Sequence, residues 1–548
     1  MRIAEEMAKE QKEISISEFF EKNRHLLGFD NKVKALLTIV KEAVDNSLDA
    51  CEEAKILPKI FVKVEELEKE KFKIIIKDNG PGIVKKQIPN IFGKLLYGSK
   101  FHKLRQSRGQ QGLGISAAAL YSQLTTGEPI EIFSSLGNGE TYKYLIKIDV
   151  KKNEPVILST DAFNGENWHG VQVKFIAEGI YREQKQSILE YLRRVAIANP
   201  YAEIIFDSPN GRIEFKRGIE ELPPLPKEIK PHLHGVELGI FSRMLRTTKA
   251  RTLLSFLTTE FTRIGKTTAI QIIKKAGITC INKQTGKEEP DIRRSPRKIT
   301  EEEVKKLISA VKEVKLLSPP TDCLSPLGKE LIENGLKKEL NPEFVAAISR
   351  QPAVYRGFPF QVEVGIAYGG SIQEPELMRF ANRVPLLYQQ GDCAITKAVS
   401  KVDWKRYGLQ GDKFPEGPVV IFVHLCSVWV PFTSESKEAI ANYPIIIKEI
   451  KLALQDCARK LGLHLSGKRR AERLQQKIET FKKYASEIAV ALEELTGKDK
   501  NLIEEKLTKL INSKINLIKM QEQEMEESEA EEKIKENGEE NGNEEKIN

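Results

Sequence analysis

The sequence is poor in cysteine and contains no long apolar run. Its six cysteines are spread over 548 residues and include no Cys-x-x-Cys pair, which argues against a zinc ribbon and against a secreted disulfide framework. No stretch approaches the ~20 apolar residues that span a bilayer, and the N-terminal residues lack the apolar region of a signal peptide. We therefore expect a cytoplasmic protein with buried free thiols and no membrane contact.

The C-terminal residues lack aromatic side chains and hold much of the negative charge. The last 28 residues contain twelve glutamates and three lysines, so the net charge of +9 for the whole chain becomes +18 for the remainder. Such a tail cannot bury enough apolar surface to become ordered, and we expect 521–548 to be disordered. The basic remainder favours a polyanionic partner, although basic proteins that bind no nucleic acid are also common.

The chain also lacks a P-loop, since Gly-x-x-x-x-Gly-Lys-Ser/Thr does not occur. A different glycine segment, Arg108 to Ser116, runs into the apolar stretch Ala117 to Leu120. Glycines before a helix expose free N–H groups where the helix dipole also favours anions, so this segment suits phosphates. Its glycine spacing alone is weak support for phosphate binding.

A helix with two different faces is predicted around Glu42 to Ala50. Successive helical residues turn by about 100°, so Glu42, Asn46 and Asp49 share one narrow stripe. The opposite face is apolar: Leu36, Leu37, Val40, Val44 and Leu48. An ordinary solvated face would carry similar polar residues, and the stripe needs further support before it indicates a site.

That support comes from a strand followed by an acidic turn. Phe72–Lys77 reads as a short β-strand that delivers Asp78 to a turn containing Gly80 and Gly82. These glycines permit positive φ and a close approach of the backbone to a ligand. Taken alone, Asp-Asn-Gly could be an ordinary turn.

In this order, the helix motif, the acidic turn, the glycine segment and Gly170–Val173 resemble the Bergerat-fold ATPases. The resemblance implies ATP and Mg²⁺ as cofactors, with the metal at Asn46 and the adenine amino group at Asp78. The implied ATP-binding residues are Asn46, Asp78, Gly80, Gly82, Ser99, Lys100, Arg108, Gly109, Gln110, Gln111, Gly112, Leu113, Gly114, Ile115 and Lys437. This sequence has Val171 where the family often has threonine.

Two further segments, Trp429–Ala441 and Phe380–Leu387, resemble the transducer domain of topoisomerase VI B subunits. The resemblance covers roughly residues 10 to 470 and implies an α+β multidomain protein. The implied segments are a Bergerat-fold α/β sandwich ATPase domain with an N-terminal dimerisation arm (1–228), a helical helix–two-turns–helix domain (229–312), an α/β transducer domain (313–467), a C-terminal helical extension that contacts a partner subunit (468–520) and the disordered acidic tail (521–548). The first boundary coincides with the proline-rich stretch Pro223–Pro226.

Outside the pocket, the patterns predict four elements and one turn. Val362–Tyr368 and Val419–Leu425 read as strands, the second of them buried on both faces. One helix is expected over Ile440–Leu461 and another from Lys468 to about Thr496. A turn is expected at Ile264–Thr268 between two helices.

The proposed chemistry is attack of water on the γ-phosphate of ATP, with Glu42 as the base one helical turn before Asn46. The resemblance assigns Lys437 to the γ-phosphate; without it, Lys437 would read as a surface lysine. It also implies dimerisation on ATP binding through an arm such as Ser15–Phe20, and an A subunit that completes an A2B2 heterotetramer.

Double-stranded DNA is the expected polyanion, and Arg243, Arg246 and Lys249 are candidate contacts; a solvated helical linker is the other interpretation of their region. Cutting DNA needs a cluster of acidic metal ligands, and the sequence has no Asp-x-Asp pair near a glutamate-bearing strand. We therefore expect that this chain does not cut DNA. A chaperone of the ninety-kilodalton heat-shock type and a MutL-like mismatch-repair ATPase remain alternatives with the same pocket.

Overall fold

A computed structural model describes residues 7, 13–100, 103–109, 112–164, 168–282, 286–434, 436–510 and 513. The chain divides into two compact units, Met1–Leu461 and Gly462–Asn548. The predicted contacts Gln110 and Gln111 and the predicted disordered tail 521–548 lie outside the described residues.

An eight-stranded sheet with helices packed against it forms the N-terminal part of the first unit. Its strands are β1 (Lys59–Glu68), β2 (Lys71–Lys77), β3 (Ile130–Leu136), β4 (Glu140–Asp149), β5 (Glu154–Asn164), β6 (His169–Glu178), β7 (Glu203–Ser208) and β8 (Gly211–Phe215). Its helices are α1 (Ile16–Lys22), α2 (Lys32–Glu53), α3 (Ile88–Gly93), α4 (Gly114–Thr126) and α5 (Ile188–Ala198). The strand order is β5-β4-β3-β6-β2-β1-β7-β8, and only the β1–β7 pair within this sheet is parallel.

The helix α2 forms the back of the candidate site. Its N-cap is Asn31, whose side-chain oxygen accepts a hydrogen bond from the backbone N–H of Lys34, which satisfies one free amide of the first turn. Its apolar face is buried in the core of the sheet region, as predicted: Leu36, Leu37, Val40, Val44 and Leu48 are at most 4% exposed. The polar stripe therefore faces away from that core.

The middle part of the unit is mainly helical, with its own hydrophobic cluster between Leu233 and Val314. Its elements are α6 (Leu238–Thr247), α7 (Leu253–Glu260), α8 (Lys266–Lys275), the strands β9 (Thr279–Ile281) and β10 (Glu288–Pro290), and α9 (Glu301–Glu313). The turn predicted at Ile264–Thr268 is wrong in part, because Gly265 is the N-cap of α8 and the following three residues are helical. The short β9–β10 pair was not predicted.

A second sheet follows, in the order β11-β13-β16-β14-β15 with β12 paired to β13. Its elements are α10 (Lys329–Leu340), β11 (Phe344–Ser349), β12 (Ala353–Tyr355), β13 (Phe358–Tyr368), β14 (Glu376–Ala381), β15 (Val384–Pro385), α11 (Ala394–Val399) and β16 (Val419–Ser427). The two predicted strands are confirmed as parts of β13 and β16. All nine residues of β16 are buried, as its continuous apolar pattern predicted.

The last long helix, α12 (Pro444–Thr496), differs from the prediction in two ways. It begins at Pro444 rather than at Ile440, because Ile440 instead pairs with Phe432 in a β-bridge and proline is well suited to a first helical turn. It also continues through Ser466-Gly467, where a break was expected; one interior glycine costs a helix only about 1 kcal/mol. The helix ends at Thr496, and the following Gly497 has φ +67°, a left-handed conformation that glycine supplies readily.

The second unit, Gly462–Asn548, is helical over the rest of α12 and again over 500–510. Its buried residues include Ala485 and Ala489. Phe481 and Tyr484 before them and Ile488 between them are exposed.

The cysteines are mostly buried. All six cysteines are free, and five are buried, but Cys280 on β9 is exposed, so the expectation of buried thiols is wrong for that residue. Within the described ranges, no helix combines the length and the apolar character needed to cross a bilayer.

Candidate nucleotide-binding site

One large cleft lies where four parts of the first unit meet. Its volume is about 620 Å³, and it is bounded by α2, by the turn after β2, by the start of α4 and by the loop at 436–438. The predicted ATP-binding residues that line it are Asn46, Asp78, Gly82, Ser99, Lys100, Gly109, Gly112, Leu113, Gly114, Ile115 and Lys437. Residues distant in the sequence are thus brought to one cavity, as the motifs predicted.

Three hydrogen bonds hold the Asp78 carboxylate at the wall of the cleft. Its Oδ1 accepts hydrogen bonds from the backbone N–H groups of Gly80 (2.9 Å) and Val171 (3.0 Å), and its Oδ2 accepts one from the Ser47 hydroxyl (2.8 Å). Burial raises the pKa of Asp78, and these three donors oppose that rise. The carboxylate is therefore held in one orientation at the wall of the cavity.

Two glycines allow the backbone to pass close to Asp78. Gly82 has φ +74°, and a Cβ there would lie 2.2 Å from the carbonyl oxygen of Ser135. Gly170 has φ +133°, and a Cβ there would lie 2.2 Å from the carbonyl oxygen of Asp78. Of the two glycines predicted to permit positive φ, Gly82 adopts it and Gly80 does not; Gly80 lies against the Asp78 carboxylate.

The polar stripe of α2 faces the glycine segment. A Cβ placed on Gly114 would lie 1.7 Å from Glu42 Oε2, and one placed on Gly109 would lie 3.8 Å from Asn46 Oδ1. Glu42 therefore lies at the start of α4, where free N–H groups and the helix dipole favour anions, and Asn46 faces Gly109, five residues before that helix. An amide oxygen beside a phosphate position is a suitable ligand for Mg²⁺, which prefers oxygen donors and retains water and phosphate ligands.

The loop that contains Lys437 is fastened to α2 at two positions. Lys41 Nζ donates a hydrogen bond to the carbonyl oxygen of Ser436 (3.2 Å), and Lys34 forms a buried ion pair with Glu438. Lys437 lies between these contacts with φ +54°, an uncommon conformation for a non-glycine residue that persists where the surroundings hold it. The loop therefore presents Lys437 at the cleft in a fixed position.

Two predicted ATP-binding cations are engaged elsewhere. Lys100 Nζ donates to Asp49 Oδ2 (2.6 Å), although Lys100 also lines the cavity. The Arg108 guanidinium is 3% exposed, donates to Asp49 and Glu52, and does not line the cavity. Only the backbone of Arg108 faces the Lys437 ammonium, which donates to its carbonyl oxygen at 3.1 Å.

Ser47 and Tyr191 line the cleft but were not predicted as site residues, and Tyr191 contacts the buried Asp45. Ser47, next to Asn46, orients Asp78, and its position in the motif could have signalled this. Burial raises the pKa of Asp45 to about 6, and Tyr191 donates to Asp45 Oδ1 at 2.9 Å. Tyr191 is far from Asp45 in the sequence, and no local pattern connects the two.

The candidate DNA contacts lie outside the cleft. Arg243, Arg246 and Lys249 are exposed on α6 and just after it. Arg246 is 3.7 Å from Glu301 in an ion pair whose side chains are both more than 70% exposed, so this pair constrains it little.

The predicted dimerisation arm is helical over most of its length. Ser15 is the N-cap of α1, and the hydroxyl of Ser17 donates to Asn153 Oδ1 (2.9 Å). Ile16 and Phe19 remain about 40% exposed.

The fold, the cleft and two family matches define the class of protein to which this chain belongs. Residues 31–152 match the family described as histidine kinase-, DNA gyrase B- and HSP90-like ATPases, and this match contains α2, Asp78 and the glycine segment. Residues 319–477 match the family described as the transducer of the topoisomerase VI B subunit.

Relatives over most of the chain identify the family. The B subunit of type 2 DNA topoisomerase 6 from Methanococcoides burtonii is 50% identical over 85% of this chain and 74% of that protein. The B subunit of the same enzyme from Pyrococcus horikoshii is 42% identical over 97% of this chain and all of that protein. The chain belongs to the topoisomerase VI B subunit family.

Proposed function

We propose that this chain binds and hydrolyses ATP as the B subunit of a type IIB DNA topoisomerase. The observation that carries this proposal is the single cleft lined by Asp78, Asn46, Glu42 and Lys437, which come from separate elements. A volume of about 620 Å³ falls in the range of pockets that enclose a nucleotide-sized ligand.

Asp78 is proposed to hold the adenine. Its carboxylate already accepts from two backbone amides and from Ser47, and its remaining acceptor capacity suits the adenine amino group. The glycine segment and the start of α4 are proposed to hold the phosphates with backbone N–H groups.

Glu42 and Asn46 are proposed to serve the reacting end of the nucleotide. Water attacks the γ-phosphorus, the bond to the bridging oxygen of the β-phosphate breaks, and Glu42 takes the proton of the attacking water. Asn46 would hold Mg²⁺, which when bound neutralises phosphate charge. Because this reaction depends mainly on positioning, two oxygens on adjacent turns of one rigid helix are well suited to it.

Lys437 is proposed to report the nucleotide state to the transducer. Its ammonium donates to the carbonyl oxygen of Arg108, and a γ-phosphate oxygen is a charged acceptor that would compete for it. A ligand shifts a conformational equilibrium only through its different affinity for the two states. Contact between Lys437 and the γ-phosphate would supply that difference.

The domain boundaries near 228 and 312 are part of the proposal. Separate hydrophobic clusters between Phe29 and Phe215 and between Leu233 and Val314 support them. We assign 313–467 to the transducer and 468–520 to the extension that contacts the partner subunit.

The proposed assembly has two copies of this chain and two DNA-cutting A subunits. ATP would join the two copies at their ATPase domains, with the exposed apolar side chains of α1 available for docking. The exposed cations of α6 would contact the phosphates of double-stranded DNA.

The test compares the isolated chain with the complex. With Mg²⁺ and ATP, the isolated chain should hydrolyse ATP, dimerise and leave supercoiled plasmid unchanged; with its A subunit, it should relax and decatenate DNA. Lys437→Ala should impair strand passage and retain most nucleotide binding, while the exposed Lys397→Ala control should not. Plasmid relaxation by the isolated chain, or full strand passage by the Lys437→Ala complex, would contradict the proposal.

The chaperone and mismatch-repair alternatives give a different result in the same assays. A chaperone should be stimulated by an unfolded client and not by DNA. The match of 319–477 to the transducer family supports the topoisomerase instead.

A further inference from the structure

A buried charge cluster lies on α2 directly after the nucleotide cleft. Asp49 and Glu52 continue the stripe of Glu42 and Asn46 by one and two turns, and their side chains are only 8% and 12% exposed. Facing them are the guanidinium groups of Arg108 and Arg383, each 3% exposed. We define these four residues as the anchor cluster.

Asp49 ties Lys100 to Arg108, the first residue of the glycine segment. Its Oδ1 accepts from Arg108 Nη1 at 2.8 Å, and its Oδ2 accepts from Lys100 Nζ at 2.6 Å. Burial opposes ionisation of Asp49, yet the charges of Lys100 and Arg108 outweigh it and hold the pKa of Asp49 far below its usual range. The carboxylate therefore stays ionised and keeps both cations in place.

Glu52 connects Arg108 to the second sheet. Its Oε1 accepts from Arg108 Nη2 at 2.6 Å, and its Oε2 accepts from Arg383 Nη1 at 3.1 Å. The Tyr201 hydroxyl also donates to Oε1 at 2.5 Å. One carboxylate is thus shared between the glycine segment and a residue 275 positions after Arg108.

Arg383 has little freedom to move away. It follows Asn382 in the two-residue turn between β14 and β15, and both residues have positive φ, 47° and 67°. Its backbone N–H donates to His424 Nε2 at 2.9 Å, and its guanidinium donates to the carbonyl oxygen of Ser325 at 2.7 Å. An unfavourable backbone held by several contacts is a rigid support.

The residues before Arg108 are fastened to the same support. The backbone N–H of Gln106 donates to Cys323 O (2.9 Å), and Asn382 Nδ2 donates to Ser107 O (3.1 Å). The position of 106–108 therefore depends on the segment at Cys323 and on the turn between β14 and β15 of the second sheet.

Arg108 also meets Lys437 through its carbonyl oxygen. The Arg108 side chain is linked to Arg383 through Glu52, and its backbone contacts the loop that contains Lys437. Gly109, next in the chain, faces Asn46 in the cleft.

We propose that Glu52 is a positioning residue for the ATPase: by joining Arg108 to Arg383, it makes the shape of the glycine segment depend on the position of the transducer. The inference rests on the proposed ATP hydrolysis. If the contacts of the anchor cluster are weakened, a smaller fraction of molecules has a glycine segment in the conformation that binds ATP. The apparent affinity for ATP then falls in proportion to that fraction. Saturating ATP restores the population, so turnover is retained.

The test is the KM and the kcat of ATP hydrolysis for Glu52→Gln in the full chain. The variant keeps the size and one acceptor of Glu52 but loses its charge. We expect the KM for ATP to rise about fivefold or more with kcat within about twofold of wild type. Glu203→Gln removes the surface ion pair with Lys59 (2.8 Å) and should leave both constants unchanged.

A second variant keeps the proposal testable if Glu52→Gln folds poorly. Arg383→Lys retains the charge and removes the branched donors, and it should raise KM in the same way. In the double variant, the rise should not exceed that of the larger single one, because both changes break one connection.

The possible failures are distinct. No hydrolysis by the wild type would contradict the proposed function itself. Hydrolysis by the wild type with an unchanged KM in Glu52→Gln and Arg383→Lys would overturn only the role of Glu52. A loss of kcat in proportion to unfolded protein, at unchanged KM, would also overturn it, since that result indicates a purely structural residue.

Discussion

The two halves of the polar stripe on α2 have opposite environments. Glu42 and Asn46 open into a cavity of about 620 Å³, whereas Asp49 and Glu52 are closed off by two arginines that are each 3% exposed. All four residues are polar and lie on one helix face. Residue type and spacing are therefore not enough to separate a binding residue from an anchoring one.

The two ends of the stripe differ in the residues that face them. Gly114 and Gly109 face Glu42 and Asn46, and all four residues line the cavity. Arg108 and Arg383 face the next two turns and fill the space with compensating charge. Among the residues that the structure describes, no arginine pairs with Glu42, whereas Asp49 and Glu52 are both bonded to arginines. Buried carboxylates of this kind depend on their partners, and removing one partner is costly.

Breaking the closed end should have the largest effect on stability. Arg383→Ala leaves the buried Glu52 carboxylate without one of its two cations, and losing one partner of a buried pair costs about 3–5 kcal/mol. The measurement is denaturant-induced unfolding. Lys185→Ala removes an ion pair whose side chains are 88% and 78% exposed and should change stability by less than about 1 kcal/mol. If the two variants lost equal amounts of unfolding free energy, the buried pair would be no more important for stability than a surface pair, which would contradict the anchoring role of the closed end.

Much of the architecture could be predicted because its signals are local. The two faces of α2, the strand before Asp78 and the buried strand β16 each follow from the periodicity of a few residues. The direction of Arg108 could not be predicted, because its partner Glu52 is bonded to Arg383, far along the chain. The continuous α12 was missed since one glycine between strong helix formers is a weak stop signal.

Changing the open end should affect binding more than stability. In Asp78→Asn, the amide oxygen can still accept from Gly80 and Val171, which turns the NH₂ group to the side of Ser47. A donor then replaces the proposed acceptor of the adenine amino group, and ATP affinity should fall by about 1.5–3 kcal/mol. Calorimetric titration with a non-hydrolysable ATP analogue measures this loss, and unchanged affinity would refute the role of Asp78.

Exposed arginines should differ from buried ones in their response to salt. Replacing Arg243, Arg246 and Lys249 with Glu should weaken DNA binding about tenfold or more and flatten its salt dependence by about one unit of slope for each lost phosphate contact. The charge-matched control replaces the exposed Lys69, Lys151 and Lys152 with Glu. If the first variant bound DNA with the same salt dependence as the wild type, the helical region would have a structural role and no contact with DNA.

The smallest effect is expected at a buried hydrogen bond beside the open end. Tyr191→Phe removes the hydroxyl that donates to Asp45 Oδ1, and leaving that buried oxygen without its donor should cost about 1–2 kcal/mol. Denaturant unfolding checks the loss, and ATP affinity should stay within about twofold because Tyr191, although it lines the cleft, is not one of the proposed nucleotide contacts. A larger effect on affinity than on stability would contradict this and make the Tyr191 hydroxyl a nucleotide contact.

The most direct test of the division is the hydrolysis of ATP by Glu42→Ala, measured together with its affinity for a non-hydrolysable ATP analogue. The loss of a positioned base should lower kcat by about 100-fold or more, while affinity stays within about threefold of wild type because Asn46, Asp78 and the glycine segment remain. Glu66→Ala, at an exposed position on β1, should behave as wild type. Hydrolysis by Glu42→Ala within about twofold of wild type would contradict the assignment of the open end of α2 to catalysis.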